Sequence, residues 1–212
     1  MKVCVTGGAG YIGSVVAEYL LEAGHEVVIV DNLSTGPRAA VTGEVVFHEG
    51  DLLDDKFINK VLADGIEAVC QFAAFSQVGE SVAEPLKYYR YNMSGAISLL
   101  GAMKRAGIRL FLFSSTAAVY GEPKTIPIEE EVPLNPVNAY GNTKLAIEKM
   151  LGDCSGAWGL RSLSLRYFNA AGATATHGED HRPETHLIPL VIDAALGRRR
   201  ELVVFGSDYD TV

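Results

Sequence analysis

The chain has 212 residues, of which 48% are hydrophobic and 21% charged, and its formal net charge is −8. This composition is that of a globular enzyme with a buried core, and the acidic balance without a basic stripe argues against nucleic acid as a partner. No apolar run approaches the length of a membrane span or of a signal peptide's core. Three scattered cysteines argue against a disulfide framework, so we expect a reducing, cytoplasmic location and no membrane contact.

Short apolar runs alternate with longer helical patterns along the chain. The predicted strands are mostly apolar throughout, as in a parallel sheet covered on both faces: Lys2 to Thr6, Glu26 to Val30, Val45 to Glu49, Ala68 to Ala73, Leu110 to Ser114 and Leu163 to Tyr167. The predicted helices between them are Tyr11 to Ala23, Pro85 to Ala106 and Ala139 to Cys154. Gly24 and Gly107 stand where helix C-terminal caps belong. The repeated strand–helix–strand units predict an α/β fold with a doubly wound parallel sheet of the Rossmann type.

Two stretches interrupt this alternation. Residues 121–136 contain four prolines and several acids, which predicts a long surface loop. Residues 172–184 are rich in Gly, His, Thr and acids, and we expect them to lead into a second lobe, with a helix at 186–200 and a strand at 201–205. The predicted domains are therefore residues 1–171, the Rossmann domain, and residues 172–212, the beginning of a smaller substrate lobe.

A glycine-rich turn follows the first strand and opens the first helix. Gly7, Gly10 and Gly13 permit a tight turn, a close approach to a diphosphate and close packing of helix on sheet. The free N–H groups at the helix start would then face the phosphates. Asp31 closes the second strand, where a carboxylate accepts hydrogen bonds from ribose hydroxyls and repels a 2′-phosphate, which favours NAD over NADP. The alternative for Asp31 is a turn residue after a strand.

Asp51 follows the third strand and has two interpretations. Its carboxylate is placed to meet an adenine amino group, or it is the N-cap of a helix. The residue pattern alone does not choose between them.

Tyr140 and Lys144 lie four residues apart and therefore share one face of a predicted helix. A nearby ammonium and a positively charged nicotinamide both stabilise a phenolate, which lowers the pKa of a tyrosine toward that of a useful base. Thr116 follows a strand, at the edge of the sheet where α/β proteins bind ligands. The glycine turn, Asp31 and these three residues together indicate hydride removal from a secondary alcohol. The alternative for the Tyr–Lys pair is a solvated helix face.

The order of motifs resembles that of the extended short-chain dehydrogenases, and among these most closely the UDP-glucose 4-epimerases. The resemblance covers essentially the whole chain and rests on these segments: Gly7 to Gly13, Asp31 to Leu33, Gly50 to Leu52, Phe72 to Ala74, Val78 to Ser81, Ser114 to Gly121, Tyr140 to Lys144, Tyr167 to Asn169, Glu184 to Pro189 and Val204 to Gly206. It implies that Tyr140, helped by Lys144 and Thr116, removes the 4-OH proton of a UDP-sugar while hydride passes to NAD. The 4-keto sugar then turns and takes the hydride back on its other face.

The resemblance also implies which residues contact each ligand. Besides Gly7, Gly10, Gly13, Asp31, Asp51, Tyr140 and Lys144, those expected around NAD are Tyr11, Ile12, Asn32, Leu52, Phe72, Ala73, Ala74, Asn92, Ser114 and Tyr167. Besides Thr116 and Tyr140, those expected around the UDP-sugar are Phe168, Asn169, His186, Leu187 and Phe205. The family commonly dimerises through the helices that correspond to residues 85–106 and 139–154, so we expect a homodimer.

Several features limit the resemblance. The chain is shorter than the family, so we expect a C-terminally truncated member, and a truncated, catalytically impaired NAD-binding remnant stays an alternative. Another extended-family nucleotide-sugar oxidoreductase or decarboxylase is a second alternative. Related dehydratases carry Asp-Glu after the threonine, whereas this chain has Ala117 and Ala118, which disfavours dehydration. We expect no metal at His177, Glu179, Asp180 and His181, because the loop lacks a clear ligand scaffold.

Overall fold

The fold is described here from a computed structural model, which covers residues 1–181, 184–204 and 206. Within these residues, six parallel strands form one sheet in the order β3-β2-β1-β4-β5-β6. The strands are β1 (Lys2–Thr6), β2 (Glu26–Asp31), β3 (Val45–Glu49), β4 (Ala68–Gln71), β5 (Leu110–Thr116) and β6 (Arg161–Tyr167). The predicted doubly wound Rossmann sheet is confirmed.

Seven α-helices are described on the two faces of the sheet and beyond its last strand. They are α1 (Tyr11–Glu22), α2 (Asp55–Leu62), α3 (Val78–Ala83), α4 (Pro85–Tyr88), α5 (Ser94–Ala106), α6 (Ala139–Trp158) and α7 (Leu187–Ala195). A π-helical turn over Tyr89–Met93 joins α4 to α5. The long helix predicted over residues 85–106 is therefore helical throughout, with a locally widened turn in its middle.

The two faces of the strands bury different sets of side chains, because successive residues of a strand point to opposite sides. On one face Val28, Val30 and Phe113 pack with residues of α2, α5 and α6. On the other face Val5 and Ile29 pack against α1. Burial on both sides explains why these strands are apolar without alternation.

Helix boundaries follow capping chemistry that the sequence carries. The Asn138 side chain accepts a hydrogen bond from the N–H of Gly141 at 2.8 Å and begins α6. Helix α6 runs to Trp158, past the predicted end at Cys154, and stops at Gly159 in the left-handed conformation. Gly107 ends α5 in the same way, as predicted.

Two features differ from the prediction. Helix α2 was not predicted, although Asp54 caps it by accepting from the N–H groups of Lys56 and Phe57. Because Asp54 holds that position, the N-cap interpretation of Asp51 is wrong. The predicted strand over 201–205 is also wrong for residues 201–204, which are irregular and exposed, and Phe205 lies outside the described residues.

The site is positioned by the change of direction in the sheet. Strands β1 and β4 are neighbours, while the chain continues from β1 to β2 on one side and from β4 to β5 on the other. Ligands of open α/β sheets bind beyond the carboxyl ends of the strands at this point. Of the helices in the described part of the chain, none is long and apolar enough to cross a membrane.

Candidate active site

A cavity of about 1310 Å³ opens at the carboxyl edge of the sheet. Residues at or just beyond the carboxyl ends of all six strands contribute to its wall, as does α6, and residues 168–173, 179–181 and 184–189 line it as well. Each of the predicted site residues within the described part of the chain lines this cavity. Phe205 is the one predicted site residue that lies outside the described residues.

The glycine turn has no room for side chains at two of its positions. A Cβ on Gly7, whose φ is +74°, would lie 2.4 Å from the backbone nitrogen of Ala73. A Cβ on Gly13 would lie 2.1 Å from the carbonyl oxygen of Gly7. Gly10 begins α1 without a side-chain cap, and the first helical residues line the cavity. The turn therefore directs the positive end of the α1 dipole and its free N–H groups toward the cavity. These N–H groups are the hydrogen-bond donors that a diphosphate requires.

The Asp31 carboxylate organises the backbone around the turn. It accepts hydrogen bonds from the N–H of Ala9 at 2.9 Å and from the N–H of Leu33 at 2.8 Å. Burial raises the pKa of Asp31, and these two hydrogen bonds oppose the shift. Leu33 has a φ of 56°, an uncommon conformation for a large side chain, and its bond to Asp31 helps to hold it there. Each carboxylate oxygen keeps a lone pair that can accept from a ribose hydroxyl.

Asp51 makes a similar pair of contacts at the end of β3. Its carboxylate accepts from the side-chain amide of Asn32 at 2.8 Å and from the N–H of Leu53 at 2.8 Å. Asp51, Asn32 and Leu52 all line the cavity at this edge. The hydrogen bond between Asp51 and Asn32 joins the ends of β2 and β3. The surface that the purine end of a dinucleotide would contact is therefore held in place.

The predicted proton-transfer residues converge from β5 and α6. Thr116 ends β5, and its hydroxyl accepts from the N–H of Ala118 at 3.1 Å. Lys144 is 3% exposed, and its ammonium donates to the carbonyl oxygen of Ser114 at 2.7 Å. The Lys144 nitrogen lies 5.7 Å from the centre of the Tyr140 ring. These residues form one cluster on the wall of the cavity, so the alternative of a solvated helix face is wrong for Lys144.

Burial is the main influence on the pKa of both members of the pair. Burial raises the pKa of Tyr140, while a hydrogen bond with the Thr116 hydroxyl lowers it by less. Burial also lowers the pKa of Lys144 to about 7. In the chain without ligands burial therefore dominates the pKa of Tyr140, and its lowering by the Lys144 ammonium and a bound nicotinamide stays a prediction.

Asn92 connects the loop after β4 to α6. Its side-chain amide accepts from the N–H of Phe75 at 2.9 Å and donates to the Phe75 carbonyl at 3.0 Å. The same amide nitrogen lies 3.4 Å from the Thr143 hydroxyl, which donates to the carbonyl of Tyr140 at 2.7 Å. Asn92 thus lines the cavity and also fixes the loop that forms its floor.

A charged cluster behind the site was missed by sequence reasoning. The Arg166 guanidinium donates to both carboxylate oxygens of Glu148, at 3.1 and 2.8 Å, and to the Tyr120 hydroxyl at 2.9 Å. Ser115 donates to the same carboxylate. Tyr120 stacks on Phe168, with ring centres 6.5 Å apart. The one sequence signal was Glu148 itself, which lies one turn beyond Lys144 on the same face of α6.

Acids and histidines from the second predicted lobe meet at the outer wall. The ligand atoms of Glu179, His181, Glu184 and His186 lie within 4.8 Å of one another. His181 is hydrogen-bonded to Glu179, and Nδ1 of His186 lies 2.8 Å from the Glu184 carboxylate. These pairs orient both imidazoles, and both histidines line the cavity.

Comparison with known proteins agrees with this geometry. A profile of the NAD dependent epimerase/dehydratase family matches residues 3–211. The chain is 51% identical over 212 residues to UDP-glucose 4-epimerase of Streptomyces lividans, covering 99% of this chain and 64% of that one. It is similar to the crystal structure of UDP-glucose 4-epimerase from Brucella ovis in complex with NAD, with a TM-score of 0.96, 48% identity, and coverage of 99% of this chain and 65% of that one.

A second solved structure is similar over the full chain. It is UDP-glucose 4-epimerase from Bifidobacterium longum in complex with NAD+ and UDP, with a TM-score of 0.93, 38% identity, and coverage of 100% of this chain and 67% of that one. The chain spans 64–65% of the length of the UDP-glucose 4-epimerases of Streptomyces lividans and Lactobacillus helveticus, two of the curated relatives that it matches. The profile match and the site geometry lead to one conclusion: the chain belongs to the NAD dependent epimerase/dehydratase family.

Proposed function

We propose that the protein interconverts UDP-glucose and UDP-galactose through reversible hydride transfer at C4 of the sugar. The observation that carries this proposal is the convergence of Thr116, Tyr140 and Lys144 on the same cavity as the uncapped glycine turn and Asp31. An alcohol-oxidising site thus adjoins a dinucleotide-binding site. The similarity to UDP-glucose 4-epimerases supports the choice of substrate.

The residues of the cavity fit NAD. The N–H groups at the start of α1 would hold the diphosphate, and Asp31 would accept from the adenosine ribose and repel a 2′-phosphate. Asp51 would accept from the adenine amino group, while Phe72, Asn92, Ser114 and Tyr167 would surround the nicotinamide half. When bound, NAD supplies a reversible hydride acceptor for the sugar carbon.

Tyr140 would accept the proton of the sugar 4-OH, and the Thr116 hydroxyl would hold that oxygen in place. Lys144 has a pKa of about 7, so it gains and loses a proton readily at neutral pH. In its charged form it would favour the Tyr140 phenolate, offsetting the burial that raises the tyrosine's pKa. Return of the hydride to the opposite face of C4, with return of the proton from Tyr140 to the C4 oxygen, would complete the epimerisation and leave no net oxidation.

The second predicted lobe, which starts at residue 172, would hold the sugar nucleotide. Phe168, Asn169, His186 and Leu187 line the outer part of the cavity and are the proposed contacts. We keep Phe205 in this group as a proposal. Tyr120 supports Phe168 through ring stacking, so the Arg166 cluster would position this wall indirectly.

Assembly and location are part of the same proposal. Leu86, Tyr89 and Ile97, from the helical run at residues 85–106, expose apolar side chains. These support a homodimer formed through this run and α6. Cys4, Cys70 and Cys154 are all free thiols, which supports a cytoplasmic location.

The test is conversion of UDP-galactose to UDP-glucose by the purified chain with NAD, followed by NMR of the two anomeric protons. We expect conversion by the wild-type chain and its loss in Tyr140→Phe, which keeps the ring and removes the hydroxyl. NAD binding without conversion would instead favour the NAD-binding remnant. Conversion that persists unchanged in Tyr140→Phe would overturn the assigned role of the tyrosine.

A further inference from the structure

The segment of residues 172–181, here called the strap, lies along the outside of α1. Its two ends line the cavity, at Gly172 and Ala173 and again at Glu179 to His181. Its middle leaves the cavity and packs against α1 and the segment that follows Asp31. Both ends of the strap therefore lie at the cavity, while its middle is held by residues outside the cavity.

Two residues of α1 hold the strap. The Tyr11 hydroxyl donates to the carbonyl of Gly172 at 2.6 Å. Glu18 lies seven residues further along α1, so it projects from the same face two turns away. Tyr11 itself belongs to the first turn of the helix and lines the cavity. The strap is thus attached both beside the glycine turn and about two helical turns behind it.

The Glu18 carboxylate receives three hydrogen bonds from the strap. Its oxygens lie 2.6 Å from the Thr174 hydroxyl, 2.7 Å from the Thr176 hydroxyl and 2.6 Å from Nδ1 of His177. The hydroxyls of Thr174 and Thr176 and the imidazole of His177 lower the pKa of the Glu18 carboxyl to about 2. Glu18 is therefore charged at neutral pH, and its bonds are charge-assisted.

His177 joins the strap to a third part of the protein. Its side chain is 6% exposed, and Nε2 lies 3.0 Å from the Ala40 carbonyl oxygen and 3.0 Å from the Thr42 hydroxyl. The Glu18 carboxylate beside Nδ1 and the Ala40 carbonyl beside Nε2 can only accept hydrogen bonds, whereas the Thr42 hydroxyl beside Nε2 can donate or accept. Ala40 belongs to the segment that leaves β2 after Asp31, and Ser34 and Thr35 of this segment line the cavity.

Contacts within the strap make its middle a closed unit. The N–H of Thr174 donates to the His177 carbonyl at 2.8 Å, and the N–H of His177 donates to the Thr174 hydroxyl at 2.9 Å. Loss of the Glu18 carboxylate would therefore release this unit, as a whole, from the middle of α1. The contact of Tyr11 with Gly172 and that of His177 with Ala40 would remain.

We propose that the Glu18–His177 cluster holds the strap closed over the diphosphate end of bound NAD and thereby sets how fast the dinucleotide leaves. This inference rests on the proposed function for the identity of the ligand. The role of the cluster in NAD release is separate from catalysis, because Glu18 and His177 are not among the catalytic residues and act through the position of the strap. Glu18 and His177 are positioning residues in this account.

The test compares NAD release from the wild-type chain, Glu18→Ala and Glu22→Ala. Glu22 is an exposed acid one turn further along α1, so its variant has the same charge change and the same gain in helix propensity. We expect Glu18→Ala to release NAD at least about tenfold faster, because hydrogen bonds to a charged group are lost. Glu22→Ala should release it at the wild-type rate. Release is measured by stopped-flow fluorescence, in which excess unlabelled NAD displaces a bound fluorescent NAD analogue.

Hydrogen exchange of the unliganded chains provides a second readout that does not need NAD. We expect the amides of residues 173–178 to exchange faster in Glu18→Ala than in Glu22→Ala, with the strands of the sheet unchanged. Unaltered exchange would overturn the attachment by Glu18. NAD release at the wild-type rate from Glu18→Ala would overturn the retention role while leaving the NAD site intact. A wild-type chain that binds no NAD would overturn both this role and the proposed function.

Discussion

Replacement of Gly13 by alanine tests how closely α1 must approach the turn after β1. The new Cβ would lie 2.1 Å from the Gly7 oxygen, 2.8 Å from the Gly7 carbonyl carbon and 2.9 Å from the Gly8 Cα. All three atoms belong to the backbone, so relief requires the turn or the helix to move. The Gly7 oxygen also accepts from the N–H of Gly10 at 3.1 Å, a hydrogen bond that the movement would stretch.

The expected magnitude is the difference between two effects. Overpacking of this kind costs about 3 kcal/mol when no flexible side chain can yield. Alanine stabilises a helix by about 1 kcal/mol relative to glycine. We therefore expect Gly13→Ala to lower the free energy of unfolding by about 2 kcal/mol. For a chain of this size that corresponds to a fall in melting temperature of about 4–8 °C.

The assay is thermal unfolding followed by circular dichroism, with NAD affinity measured by calorimetry. The control is Gly152→Ala in α6, where an added Cβ meets nothing within 4 Å. This variant should gain about 0.5–1 kcal/mol and bind NAD as the wild type does. Gly13→Ala should bind NAD at least about tenfold more weakly, because its turn is displaced. A Gly13→Ala variant with wild-type stability and affinity would refute the reasoning.

Three further predictions concern charged residues. Lys144 holds fewer protons in the folded chain than in the unfolded chain between its pKa of about 7 and the ordinary value of 10.5, so its contribution to stability rises with pH in that window. In urea unfolding, the free energy of unfolding of the wild-type chain should therefore rise relative to that of Lys144→Met as the pH increases from 7 to about 10. A difference that does not change with pH would contradict the burial of the amine. Asp31→Asn removes the negative charge and one of the two hydrogen bonds that the Asp31 carboxylate accepts from the backbone. Calorimetry should therefore show NAD binding that is at least about tenfold weaker and a smaller preference for NAD over NADP. Unchanged affinity would exclude the proposed ribose contact. Glu148→Gln breaks a mostly buried ion pair with Arg166, and we expect a loss of about 2 kcal/mol in urea unfolding, whereas a loss below about 0.5 kcal/mol would show that the pair is not stabilising.

Local sequence signals predicted most of the nucleotide site. The glycines after β1 and Asp31 at the end of β2 sit at fixed positions relative to their strands, so strand–turn–helix order was enough to bring them together. The Thr116, Tyr140 and Lys144 cluster followed from the rule that ligands bind beyond strand ends. Helix α2 was equally predictable in principle, because Asp54 is an N-cap followed by apolar residues at helical spacing.

The rest depends on tertiary contacts that no local pattern encodes. Glu18 and His177 are 159 residues apart in sequence, and Glu148 and Arg166 pair between a helix and a strand. The pKa of Lys144 is lowered by burial, which a sequence does not reveal. The strand predicted over residues 201–204 was wrong because an apolar run needs a neighbouring strand, and these residues are exposed.

The most direct test of the central claim follows the hydrogen at C4. The wild-type chain would be incubated with NAD and UDP-galactose that carries deuterium at C4, in ordinary water, and the product analysed by NMR. Hydride removal and return at the same carbon predicts UDP-glucose that retains the deuterium at C4, and Tyr140→Phe should form none. Product that has exchanged the deuterium with solvent, or no UDP-glucose at all from the wild-type chain, would contradict the account.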